Sequence, residues 1–288
     1  MGVFTIAEVS YSLLLYSINN NNMARKSKFY GWQPDLPDNR DFIYKASASV
    51  LKKLPEKVNL QEHCPPVYNQ GQLGSCTANA IGAAFQFESI KQHKTDGFMP
   101  SRLFIYFNER VIEHTVSSDN GAQIRDGIKS VNKQGVCPES IWPYLPKKFA
   151  VKPTSSCYQS AAKNLVTSYH RVSRKLEHMK GCLSEGYPFV FGFTVYESFE
   201  GEKVANTGKL SLPKKGEKLV GGHAVMAVGY DDALNRFIVR NSWGSKWGLQ
   251  GYFTIPYAYL LNENLADDFW TIRLIEVNTN LIKNQKKK

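Results

Sequence analysis

Cys76 opens a stretch of small and apolar residues at helical spacing, a place where a cysteine can serve as a nucleophile. A thiol attacks a carbonyl carbon only as the thiolate. The unpaired N–H groups and the dipole at the start of a helix favour that negative charge. A histidine nearby can hold the resulting ion pair and later give its proton to the leaving amine. His223, near the head of GGHAVMAVGYDD, is placed for this on a different element. Its ring needs an orienting group, and the amide oxygen of Asn241, in RNSWGSKWGLQGY, can accept from the ring N–H. A tetrahedral oxyanion needs donors. The Gln70 side chain and the Cys76 backbone N–H, both within NQGQLGSCTANA, supply two. Each stretch alone is modest, since a lone histidine before a strand is more often structural than catalytic. Together, in this order, they predict acyl transfer through a thioester. The chain has no C-x-x-C and no H-x-x-x-H, so neither a metal site nor a cofactor is expected.

The elements that must hold these groups are legible by period. Ala80, Ala83, Ala84, Phe87 and Ile90 predict a helix from Cys76 to about Gln92, with Ser75 as N-cap. Further helices are predicted from Arg102 to about Glu113 with Ser101 as cap, from Ala122 to Gln134 ending at Gly135, and from Arg174 to Ser184. After Pro188 the period changes to that of strands: Phe189 to Val195, Gly222 to Tyr230, Phe237 to Arg240, Tyr252 to Ile255 and Phe269 to Val277. Helices first and an antiparallel sheet second predict an α+β protein of two lobes with a cleft between them.

With these motifs in this order, the sequence resembles the papain-like cysteine peptidases, the cathepsin family. The resemblance spans roughly Pro55 to Val277. It implies a two-lobed fold, with a helical N-terminal lobe, a β-barrel-like antiparallel C-terminal lobe and the active-site cleft between. It implies Cys76, His223 and Asn241 as catalytic residues, and Gln70 with the Cys76 N–H as the oxyanion hole. Trp243 matches the tryptophan that shields the Asn–His bond, and Trp247 the aromatic on the leaving-group side. Gly121 and Ala122 match the loop that pairs with substrate backbone, and Gly222 offers a carbonyl from the opposite wall. The implied activity is peptide-bond hydrolysis by an endopeptidase, because no insertion with paired histidines caps the cleft. The same Cys-His-Asn apparatus also serves acyl transferases and peptide ligases, and a catalytically dead binding protein would be expected to lack one of these groups. Two departures stand out. Thr77 follows the nucleophile where the family usually has an aromatic, and Leu73 replaces a common disulfide cysteine. The QLGSCTANA variety is most similar to bacterial and large-virus members.

The remaining chain bounds the setting. Over 288 residues, 42% hydrophobic and 21% charged composition supports a buried core. The net charge of +11 is partly terminal, with Arg25, Lys26 and Lys28 at one end and Lys283, Lys286, Lys287 and Lys288 at the other. No nucleic-acid motif accompanies it, so protein or peptide substrates are expected, not nucleic acid, with the enzyme a monomer. The apolar run Val9 to Ile18 is too short to span a membrane and is a poor signal peptide, which favours an intracellular (or virion) location. Cys64, Cys137, Cys157 and Cys182 read as scattered free thiols. The expected organisation is an extension over 1–28, an extended segment over 29–55, the peptidase domain over 56–277 and a basic tail over 278–288. Pro34 and Pro37 hold the second of these extended. With Tyr30, Trp32, Phe42 and Tyr44, it is expected to wrap the outside of the fold as a strap; the alternative is a short pro-segment lying over the cleft.

Overall fold

The apolar spacing that begins at Cys76 produces helix α1, Cys76–His93, in a computed structural model that describes residues 30–93 and 97–277. The extension 1–28 and the tail 278–288 lie outside the described residues. Helix α1 is buried almost all round, with Ala78, Ile81, Ala84 and Phe85 each at most 2% exposed, as befits a helix through the middle of a molecule. Its alanines let neighbouring backbone approach closely. Helix α2, Arg102–Ile112, starts where Ser101 Oγ accepts from the Phe104 N–H at 3.2 Å. Ser75 does not act this way; its hydroxyl bonds Tyr144 and Asn79 instead. Helix α3 covers Ile124–Lys133 and stops at Gly135, whose φ of 78° suits glycine. Its expected first residues, Ala122 and Gln123, form a short strand. Helices α4, Ser155–Ala161, and α5, Leu176–Ser184, follow.

The short strand β4, Ala122–Gln123, pairs in parallel with β1, Trp32–Gln33. The other described strands lie in one sheet: β2 (Ile43–Tyr44), β5 (Asn164–Val172), β10 (Ala266–Val277), β6 (Phe189–Tyr196), β7 (Leu219–Asp231), β8 (Arg236–Arg240) and β9 (Tyr252–Pro256), in that order. Strand β3, Lys57–Asn59, also pairs with β7. The barrel-like expectation is corrected here: the strand order is an open path from β2 to β9, so the sheet does not close. Alternation along the strands divides the interior in two. On β7, Ala224, Met226 and Val228 face a core shared with α1 and α2. Val225 and Ala227 face a second core with Phe189, Phe191 and Phe193 of β6. The cleft opens where the start of α1 meets the start of β7.

Residues 30–44 do two things. Ile43 and Tyr44 add an edge strand to β5, outside the fold. Asp35 accepts from the Arg125 N–H at 3.0 Å and from Trp270 Nε1 at 2.9 Å, and Asp41 pairs with Arg125 at 2.6 Å. Tyr30 to Gln33, by contrast, lie in the cleft.

Candidate active site

Cys76 is the first residue of α1, and its sulfur is fully buried. Burial pushes the thiol up to about 12, against the pull of the N–H groups of Ala224, Gly31 and Thr77. His223 sits on β7 on the opposite wall. Its Nε2 and Asn241 Oδ1 are 2.8 Å apart. Ser242 N–H donates to the same Oδ1 at 2.8 Å, which fixes that atom as the oxygen and makes Nε2 the protonated ring nitrogen. Nδ1 is left with a lone pair and has no hydrogen-bond partner. The ring is also fully buried, and burial pushes it down to about 4, with the Asn241 bond acting the other way. Burial thus disfavours the charged form of both groups.

Gln70 is bound at every side. Its N–H donates to Ser242 O at 2.9 Å, its Oε1 accepts from Ser242 Oγ at 2.5 Å, and its Nε2 donates to Leu73 O at 2.9 Å. Ser242 therefore ties Gln70 to Asn241 across the cleft. Trp243 lies 5.1 Å from the His223 ring at 30°, and Trp247 stands edge-on to Trp243 at 5.1 Å. Phe193 and Phe199 close the far side of the imidazole at 5.8 and 6.2 Å.

The remaining expected residues meet the N-terminal segment. Gly31 N–H donates to Gly222 O at 3.1 Å, and Ala122 N–H donates to Gly31 O at 2.7 Å. A Cβ on Gly121 would stand 1.8 Å from Gly31 O, and one on Gly31 would stand 1.7 Å from Gly74 O. Only glycine allows this approach. The Tyr30 ring covers His223 and its hydroxyl donates to Glu200 at 3.0 Å. So the structure brings Cys76, His223, Asn241, Gln70, Gly121, Ala122, Gly222, Trp243 and Trp247 around one cleft, with Tyr30 to Trp32 lying in it.

Sequence reasoning missed several supports. Tyr144 donates to Gln70 O at 2.8 Å and meets Ser75 Oγ at 2.6 Å. Asp119 accepts from Gly74 N–H at 3.0 Å and from Tyr106 at 2.5 Å. Thr77, the departure beside the nucleophile, donates at 2.6 Å to Glu109, a fully buried acid whose pKa burial raises well above the ordinary range. Nothing in a single sequence marks these partners.

A cysteine opening a helix and an oriented histidine across one cleft are the arrangement of a thiol peptidase. Residues 54–264 match the family described as papain family cysteine protease, and the chain belongs to that family. It is 44% identical over 282 residues to a peptidase C1-like protein of Acanthamoeba polyphaga mimivirus, spanning 90% of each. It is 49% identical, with a TM-score of 0.81, to the crystal structure of xylellain, a cysteine protease from Xylella fastidiosa, covering 86% of this chain and 97% of that one. Pro-cathepsin H of Mus musculus is 27% identical over 263 residues, covering 87% of this chain and 69% of its own. The protein is thus a cysteine peptidase, and its substrates are proteins or peptides. Among the described residues no helix is long and apolar enough to cross a membrane.

Proposed function

We propose that Cys76, His223 and Asn241 carry out peptide-bond hydrolysis and that Tyr30 to Gln33 hold the enzyme latent. The observation that carries the first part is the His223–Asn241 bond, which protonates Nε2 and leaves the Nδ1 lone pair available. With the cleft open, Nδ1 takes the Cys76 proton. The thiolate attacks the scissile carbonyl, and its oxygen takes the negative charge beside Gln70 Nε2 and the Cys76 N–H. Collapse forms the thioester and expels the amine, which takes the proton from Nδ1. Water then gives Nδ1 a proton, attacks the thioester and releases the acid and the thiol. Asn241 holds the ring and moves no proton.

Latency rests on the contacts of Gly31. It bonds both Gly222 and Ala122, the two walls that would hold a substrate backbone. Tyr30 lies beside His223 and Trp243, the tryptophan read as covering the Asn–His bond, and Trp32 pairs with Ala122. The segment therefore fills the place that a substrate backbone would take. The endopeptidase reading rests on the sequence, in which no insertion with paired histidines is evident.

The test compares full-length protein, Gly31→Ala and Cys76→Ala on unfolded casein. Gly31→Ala cannot keep its backbone against Gly74 and should raise the rate at least several-fold. Cys76→Ala should lose several orders of magnitude while keeping the native circular dichroism. Equal rates for wild type and Gly31→Ala would end the latency reading; activity in Cys76→Ala would end the nucleophile assignment.

A further inference from the structure

We propose that Arg102 is a positioning residue for the oxyanion hole: it touches no reacting atom, and through Asn69, Asn79 and Tyr144 it holds the Gln70 side chain opposite the Cys76 N–H. This rests on the reading of those two groups as the oxyanion donors.

Both donors belong to one short stretch of chain. Residues 69–75 lead into α1, with Gln70 near the start and Cys76 just past the end. Gly71 and Gly74 lie between, the first with φ of 58°, so the stretch has little stiffness of its own. It is held from outside. Arg102 Nη1 donates to Asn69 O at 3.2 Å and to Asn79 Oδ1 at 3.1 Å. The second bond settles the Asn79 amide. With its oxygen turned to the guanidinium, Nδ2 donates to Ser75 O at 2.9 Å and to Ser75 Oγ at 3.1 Å. Ser75 immediately precedes the nucleophile. Tyr144 joins the two ends of the stretch: its hydroxyl donates to Gln70 O at 2.8 Å and lies 2.6 Å from Ser75 Oγ. Asn79, a polar residue in the buried face of α1 within QLGSCTANA, thereby gains a purpose.

Arg102 holds Tyr144 as well. Its guanidinium lies over the Tyr144 ring, 4.0 Å from the centroid. Its other edge, Nε and Nη2, grips Glu139 at 2.9 and 2.8 Å. The neighbouring Ser101 donates from its N–H to Cys137 O at 2.8 Å and from its Oγ to Trp142 O at 2.7 Å. The first turn of α2 thus pins the loop that carries Tyr144. Arg102 is 5% exposed, and a buried cation demands this degree of partnering. A lysine is one compact ammonium and cannot span Glu139, Asn69 and Asn79 with a planar fork. Oxyanion donors act only where they stand at hydrogen-bond distance from the charge that develops. A misplacement of about 1 Å costs up to about a hundredfold in rate.

The experiment uses the full-length Gly31→Ala protein as parent and a fluorogenic peptide as substrate. Arg102→Lys and the lighter change Tyr144→Phe should each lower kcat about ten- to a hundredfold, with KM moving by less than about threefold. Alkylation of Cys76 by iodoacetamide forms no oxyanion, so its rate should stay within about twofold of the parent's. Gln70→Ala alone should lower kcat by about 10²–10³. Adding Arg102→Lys or Tyr144→Phe to it should cost less than about threefold more, because the donor they position is already gone. Where Arg102→Lys lacks the native circular dichroism, Asn79→Leu, which cuts the bridge from Arg102 to Ser75, takes its place with the same expectations. A parallel fall in kcat and alkylation, an effect confined to KM, or full additivity with Gln70→Ala would each overturn the assignment of Arg102 while leaving the peptidase reading intact. A Gln70→Ala protein as fast as its parent would overturn the oxyanion reading and the positioning role with it.

Discussion

The Tyr30 ring stands edge-on to the His223 imidazole, with centroids 5.7 Å apart and planes at 79°. With Phe193, Phe199 and Trp243 it completes an aromatic enclosure of the ring. Burial is what holds the imidazole near 4. Water favours the charged form of a base, so opening one wall moves the value up. Tyr30→Ala, in a Cys76→Ala background that prevents self-cleavage, should bring the His223 titration by NMR back towards its ordinary value of about 6.5. An unmoved titration would show that Tyr30 is not the seal.

Asn241 and His223 should differ in what their loss does. Asn241→Ala frees a ring that still accepts and returns a proton, and should cost kcat roughly one to two orders of magnitude less than His223→Ala. Single-turnover rates of acylation in the Gly31→Ala protein would measure both. The reverse order would mean that orientation, not proton transfer, limits the step.

Removing residues 1–44 should raise activity per folded molecule and lower Tm together. Tyr30 and Trp32 are 3% and 8% exposed, and each such side chain contributes about 1.5–3 kcal/mol. Loss of Asp35 also leaves the Arg125 N–H and Trp270 Nε1 without their acceptor. A fall of several degrees is expected by calorimetry. A Tm unchanged within a degree would mean that the segment only rests on the surface.

Glu113 carries a signed pH dependence. Burial raises its carboxyl to about 7, against the Gln123 N–H that it accepts at 2.7 Å. The folded pKa lies above the unfolded one. The contribution is therefore complete below about 4.5 and is lost as pH rises through about 7. Glu113→Gln should remove that loss, so the Tm difference between wild type and variant should change by a few degrees between pH 5 and pH 8.5. A constant difference would show an ordinary carboxylate.

The gathering of Cys76, His223, Asn241 and Gln70 at one cleft was legible because each lies in a short motif whose local structure is set by its own residues. Trp32 was legible as an aromatic too many for a free linker, but its partner was not. Asp268 is 236 positions away, and its left-handed backbone has no signature in an Asp-Asp pair. Ala122 and Gln123 read as the first turn of a helix because nothing local shows that Trp32 and Gln33 recruit them into a ladder. Strand β5 was missed because its residues are mostly half-buried, and the alternation that marks a strand is blurred. The open sheet followed from pairing order, which no single strand reveals.

The ladder between β1 and β4 is two residues long, and so short a pairing holds little by itself. What keeps Gly31 on the sulfur is attachment: Arg125 binds Leu36 O and Asp41, a few residues further on. On the proposed latency, the segment is a ligand on a short leash. Effective concentrations for short flexible tethers are on the order of millimolar. A sequence whose free peptide binds at about that strength would still fill the cleft half the time, and a tenfold tighter one about nine-tenths. Activity then becomes a dial, not a latch: small changes in the fit of Tyr30 or Trp32, or one cut in the leash, set the fraction of molecules that are open at any moment.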